Sequence, residues 1–236
     1  MPASLIALEE ASLKSSWEAF KANRQVLIII IAANFLLAIA TSVVANIAPV
    51  VIAALFESNS ISQVVGLLAY FLSAIIYIVL LILNSLVGVL VVAVPARYYA
   101  FGEVVTVDEV FNIVFSRPWR YIRAGILFQI AFIVGFFFCF LPGIAVLFTF
   151  PVYANKVFTT NMPIMKAFSS SFSAVYKGEN GWSFVFVQIL AGIILCAASI
   201  AGLILCIIPG IAVIIIGPTI ASFYVQNYAY NKGVVS

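Results

Sequence analysis

The chain contains no histidine, which removes the commonest general base and the commonest transition-metal ligand. Charge is scarce too. Lys, Arg, Asp and Glu make up 8% of the 236 residues, against roughly 25% in an ordinary soluble domain. A water-soluble fold could not bury the 65% that is hydrophobic, whereas a bilayer accepts it as solvent. No basic run interleaves with polar aromatics, so the net charge of +3 is no nucleic-acid footprint. No Gly-x-Ser-x-Gly or comparable nucleophile context occurs. Three cysteines without histidine make a poor metal site. The expectation is a non-enzymatic chain with no catalytic, cofactor-binding or metal-ligating residues and no cofactor.

What charge remains is sorted. Lys14, Lys21 and Arg24 precede the first apolar run. Arg97, Arg117, Arg120 and Arg123 share one linker, Lys156, Lys166 and Lys177 another, and Lys232 lies in the tail. Positive residues are retained on the cytoplasmic side, so both termini are expected there, in a multi-pass protein of the bacterial cytoplasmic membrane. An internal membrane such as a thylakoid fits the same pattern. The apolar run that begins at Val26 is longer than a signal-peptide core, and a polar segment precedes it.

A helix crossing about 30 Å of hydrocarbon needs roughly 20 residues. Residues 26–55 give one span, followed by a polar outer loop at Glu57, Ser58, Asn59 and Ser60. Residues 61–94 give a second, whose return is marked by Pro95 and Arg97. Residues 124–155 and 182–230 are each uncharged and interrupted near the middle. One kinked helix over 124–155 would put Arg123 and Lys156 on opposite faces. Two short helices joined by a tight turn keep the charges sorted, with turns at Pro142, Gly143, Pro209 and Gly210. The count is then six spans, or five if one of these breaks is only a kink.

An internal repeat supports the hairpins. Cys139, Pro142, Gly143, Ile144, Ala145 and Val146 recur 67 residues later as Cys206, Pro209, Gly210, Ile211, Ala212 and Val213. Pro151 and Ala154 recur as Pro218 and Ala221 at the same offset. Each hairpin is also preceded by an amphipathic segment. Thr106 and Glu109 have capping-box spacing, with Val107, Val110, Phe111 and Val114 on one stripe. Asn161 and Pro163 open another, with Ile164, Phe168, Phe172 and Val175 on its apolar face and Gly178 as its stop. Ile6, Leu13, Trp17 and Phe20 form a weaker version at the N-terminus. The fold class read from this is all-α: a single transmembrane domain over 1–236, with about six helices in three hairpins. An in-plane amphipathic helix precedes each hairpin, in repeat units near 1–97, 98–160 and 161–236.

The paired Pro-Gly-Ile turns, the Ala-Phe-Ser-Ser-Ser-Phe segment at 167–172 and the Tyr-rich final helix resemble a large bacterial family. Its members are six-helix membrane proteins similar to the membrane domain appended to some glycerophosphoryl diester phosphodiesterases. The similarity covers most of the chain, best from Trp119 onward. It implies a helical multi-pass fold and no catalytic residues, since the acidic and histidine metal ligands of the phosphodiesterase domain are missing.

The remaining candidates concern contacts. Arg117, Arg120 and Arg123 beside Trp119 form the densest basic cluster, suited to an anionic lipid headgroup or an acidic partner segment, or simply to topology anchoring. Asn34, Asn46, Asn84, Gln129 and Gln188 fall within spans, where amides usually hydrogen-bond across helices. Cys139 and Cys206 occupy equivalent places and could pair, although cysteine more often packs as a small apolar filler. No Asp, Glu, Lys or Arg lies inside the expected core, which disfavours an ion-coupled carrier. The expected function is a scaffold, assembly or lipid-interacting component, with membrane lipids and other membrane subunits as partners and no nucleic acid. The alternative is a permease or exporter subunit for a small or apolar solute, with a cavity lined by Asn84, Gln129 and Gln188.

Overall fold

The computed structural model describes residues 4–8, 10–56, 60–138, 140–205 and 207–235. Among them the chain forms nine α-helices: α1 (Leu13–Ala22), α2 (Arg24–Phe56), α3 (Ser60–Phe101), α4 (Val107–Ser116), α5 (Pro118–Phe138), α6 (Phe140–Thr159), α7 (Ile164–Tyr176), α8 (Gly181–Leu205) and α9 (Ile207–Asn231). Six of them, α2, α3, α5, α6, α8 and α9, are long and apolar enough to cross a membrane. The protein is an all-α, multi-pass membrane protein, with a short helix ahead of each long pair. Of the polar loop expected at Glu57, Ser58, Asn59 and Ser60, the first three residues lie outside the described residues, as do Cys139 and Cys206 and their suggested pairing. Ser60 opens α3.

Two compact units divide the chain. One comprises residues 1–28 with 89–236, the other residues 29–88.

In the larger unit, α5 lies against α6 and α8 against α9, and the approach depends on two glycine pairs. A Cβ on Gly143 would stand 2.9 Å from Phe136 Cα, and one on Gly135 would meet the Gly143 amide nitrogen at 3.0 Å. Gly202 and Gly210, 67 residues later, repeat the contact: a Cβ on Gly202 would lie 2.8 Å from Gly210 Cα. Small residues let membrane helices approach backbone to backbone. The breaks fall earlier than the sequence suggests. Pro142, Gly143, Pro209 and Gly210 sit inside the first turns of α6 and α9, not in the turns. Proline is accommodated there because first-turn amides have no intrahelical acceptor to lose. Arg120 Nη2 donates to the Thr160 carbonyl at 2.9 Å, so the start of α5 and the end of α6 are neighbours. That is the hairpin arrangement, and the single kinked helix is ruled out.

α4 and α7 pack by the apolar stripes their sequences show, with Val110, Val114 and Val175 buried and Ile164, Phe168 and Phe172 against the core, whereas α1 does not. α1 starts at a Ser12–Ser15 capping box and buries Ser16, Ala19 and Phe20 against α9. Leu13 and Trp17 are exposed instead, although both belong to the apolar stripe. In a lipid surround, an outward leucine or tryptophan carries no penalty. α4 buries Val110 and Val114, and Thr106 caps Glu109 N at 3.3 Å. The Glu109 carboxylate does not complete a capping box; it pairs with Arg97. α7 buries Ala167, Ser171 and Val175. Its Phe168 and Phe172 lean on a core of Ala124, Phe128, Val146, Tyr153 and Val157.

α3 also runs further than expected. It continues through Pro95 and ends at Gly102, whose φ of 75° is the left-handed conformation that stops a helix. Beyond Pro95 its last turns set Tyr98 and Tyr99 edge-on against Phe223 of α9, at 6.0 and 6.2 Å.

In the smaller unit, Tyr70 OH donates to the Pro49 carbonyl at 3.0 Å, linking α2 and α3. Asn34 reaches α3, its Oδ1 standing 3.4 Å from where a Cβ on Gly88 would lie, but neither Asn34 nor Asn84 accepts the expected hydrogen bond. Their Oδ1 atoms are buried with no hydrogen-bond partner among the described residues. The backbone around them is helical, so its amides already bond within their own helices and none is left to donate.

Candidate functional site

The polar interior of the larger unit gathers where the end of α6 meets α9. Asn155 Nδ2 donates to Gln226 Oε1 and to Tyr230 OH, both at 3.0 Å. Gln226 Nε2 donates to the Pro151 carbonyl at 2.9 Å, and Thr159 Oγ1 reaches Asn155 Oδ1 at 3.2 Å. Asn155 and Gln226 are fully buried, and each amide has a use for its donor and its acceptor. Such a closed network holds two hairpins in one register, whereas an open one would be costly in hydrocarbon. Gln188 serves the same bundle: its Nε2 donates to the Phe148 carbonyl at 3.0 Å.

The amides named from the sequence therefore behave unequally. Gln188 bridges α8 to α6. Gln129 is exposed on α5, and Asn46 is exposed with its amide on the Ser42 carbonyl at 2.9 Å. The residues that do build the interior network, Asn155, Gln226 and Tyr230, are ones the sequence reading passed over. A spacing signal existed. Asn155 precedes Lys156 and lies one turn beyond Pro151, at the level where a span leaves the hydrocarbon.

The arginine cluster is divided. Arg117 Nη1 donates to Asn161 Oδ1 at 2.7 Å, and Arg120 caps the carbonyl end of α6, where a cation meets the negative end of the helix dipole. Among the described residues Arg123 bonds its own helix alone, Nε to the Trp119 carbonyl at 3.1 Å. Trp119 is 69% exposed and Trp182 68%, as a belt at the lipid–water boundary requires. Arg97 lies over the Phe101 ring, 4.7 Å from its centroid, while paired with Glu109.

Two cavities flank α1. A groove of about 450 Å³ runs between α8 and α9, walled by Leu190, Ile194, Val213, Gly217 and Ile220, with Leu13 of α1 at its edge. Tyr224 is the one wall residue with a polar side chain. A second cavity of about 390 Å³ is the more polar of the two, with Glu10, Ser12, Lys14, Ser15, Glu18 and Asn227 beside Ile6, Ala19 and the rings of Tyr98 and Tyr99. Glu18 is bonded to Lys21 at 2.7 Å. Among the described residues, no cluster of three or more His, Cys, Asp or Glu could hold a metal ion.

No family model, curated protein or solved structure matches the chain.

Proposed function

We propose that the protein is a non-enzymatic scaffold or lipid-interacting component of a membrane assembly, seated in a bacterial cytoplasmic membrane with both termini in the cytoplasm. The closed α6–α9 network carries this reading. The buried polar residues among those described are Ser, Thr, Asn and Gln, with no Asp, Glu, Lys or Arg. An ion-coupled carrier needs an ionisable group that can be neutralised within the bilayer. A bundle whose amides bond one another is suited to holding a shape. Around that shape the surface offers long apolar helix faces, including Ile126, Ile130, Phe186 and Ile193, all exposed, to lipid or to neighbouring membrane helices. The likeness to the membrane domain of glycerophosphoryl diester phosphodiesterases enters only as a shared six-helix plan, with no catalytic residue to carry over.

Extraction into discs of native membrane tests the reading. The expected particle is heavier than one 25.5 kDa chain and retains a partner or specific lipids. A lone monomer without either overturns it, as does solute flux through the purified protein in liposomes.

A further inference from the structure

We propose that the two cavities flanking α1 form one site for a zwitterionic aminophospholipid, a glycerophospholipid whose headgroup bears both a phosphate and a primary ammonium. The inference rests on the lipid-binding side of the function proposed above and names the lipid class. Both cavities belong to the larger unit and share the same two helices. On α9, Val213, Gly217, Ile220 and Tyr224 wall the apolar groove, and Asn227, three residues on, lines the polar cavity. Steps of three and four residues keep these side chains on one helix face. Along α9, apolar and polar walls therefore succeed one another on one stripe, as the two ends of an amphiphile require. For its part, α1 turns Leu13 to the groove and Ser12, Lys14 and Ser15 to the polar cavity.

The dimensions agree. The groove follows α9 from Ala212 to Tyr224, about 18 Å at helical rise, against about 15 Å for one leaflet of hydrocarbon. The charges select the headgroup. Glu18 is engaged by Lys21, which leaves Glu10 and Lys14 as the charged side chains lining the polar cavity that form no ion pair among the described residues. Lys14, beside the amide end of α1, suits a phosphate. Glu10 suits an ammonium with N–H donors, which a quaternary amine lacks. A purely anionic headgroup would satisfy Lys14 and be repelled by Glu10. A protein helix seated in the groove would explain the apolar wall alone.

The full chain is offered phosphatidylethanolamine, phosphatidylcholine and phosphatidylglycerol of identical acyl chains, and bound lipid is counted by native mass spectrometry. Phosphatidylethanolamine should be retained preferentially. Glu10→Gln should erase that preference, lowering phosphatidylethanolamine roughly fivefold, the equivalent of about one charge contact. Lys14→Ala and the groove-filling Ala191→Phe should lower all three lipids together. Glu10 and Lys14 are exposed, so their variants keep the fold even where Ala191→Phe does not. Equal retention of the three lipids, preference for phosphatidylglycerol, or an unchanged preference in Glu10→Gln overturns the proposal. So does a homodimer that Ala191→Phe disrupts while lipid retention stays the same. If lipid selectivity fails while the protein still purifies within a larger assembly, only this site is lost; a bare monomer would remove the functional reading as well.

Discussion

Asn155 of α6 donates to the side-chain carbonyl of Gln226 on α9 at 3.0 Å, and that bond joins the second hairpin to the third. Replacing Asn155 with leucine leaves Gln226 Oε1 and the Tyr230 hydroxyl short of a partner in a buried setting. The expected loss is about 1–2 kcal/mol, since interhelical hydrogen bonds in membranes are weaker than the cost of a stranded polar group in vacuum suggests. Thermal unfolding in detergent should register a lowered Tm. The Asn155→Leu and Gln226→Leu variants combined should lose less than the sum of the two, because both cut one network.

The glycine pairs make a sharper steric prediction. Gly143→Ala places a Cβ 2.9 Å from Phe136 backbone atoms, so α5 and α6 must separate. Overpacking of this kind costs about 1–3 kcal/mol. Gly192 on α8 has nothing within 4 Å of its would-be Cβ. Gly192→Ala should leave stability unchanged or raise it by up to about 1 kcal/mol through helix propensity. Equal effects of the two substitutions on Tm would refute the close-approach account.

Arg120 and Arg123, three residues apart, should part company. Arg120→Ala removes the cap on the Thr160 carbonyl and should lower stability by about 0.5–2 kcal/mol. Arg123→Ala loses only a bond within its own helix and should leave the Tm alone. Binding to vesicles with and without anionic lipid would show whether Arg123, beside exposed Trp119, contacts headgroups: a headgroup role predicts weaker binding for Arg123→Ala than for the parent chain.

The α5–α6 and α8–α9 hairpins were legible because punctuation survives in an apolar sequence. Pro142 and Pro209 repeat with their glycines, and the sorting of Arg123 and Lys156 favours two short helices over one kinked span. Their placement was off by a few residues because proline is tolerated in a first helical turn as readily as in a loop. The interior was harder to read. α8 and α9 are apolar on every side, so periodicity does not distinguish an inward face from one that meets lipid. Tyr230 and Gln226 therefore read as composition, while their role depends on how α9 crosses α6. The same reason explains α1. Ser16 packs inward and Trp17 outward, the reverse of what hydropathy would choose in water.

Tyr176, at the end of α7, supplies a pH-dependent prediction. Its hydroxyl donates to the Ala145 carbonyl of α6 at 2.7 Å, and burial raises its pKa above the ordinary tyrosine value of 10.0. An acid whose folded-state pKa is raised contributes stability that is complete below the unfolded value. That contribution falls away as pH climbs through the folded value, because the unfolded chain releases its proton first. Tyr176→Phe should cost about 0.5–1.5 kcal/mol at neutral pH through the missing hydrogen bond. It should also flatten the decline in stability above pH 10. Melting curves recorded from pH 8 upward for both proteins decide the matter: parallel declines would show that Tyr176 ionises equally easily in the folded and unfolded chains, and that its hydroxyl does not anchor α7 to α6.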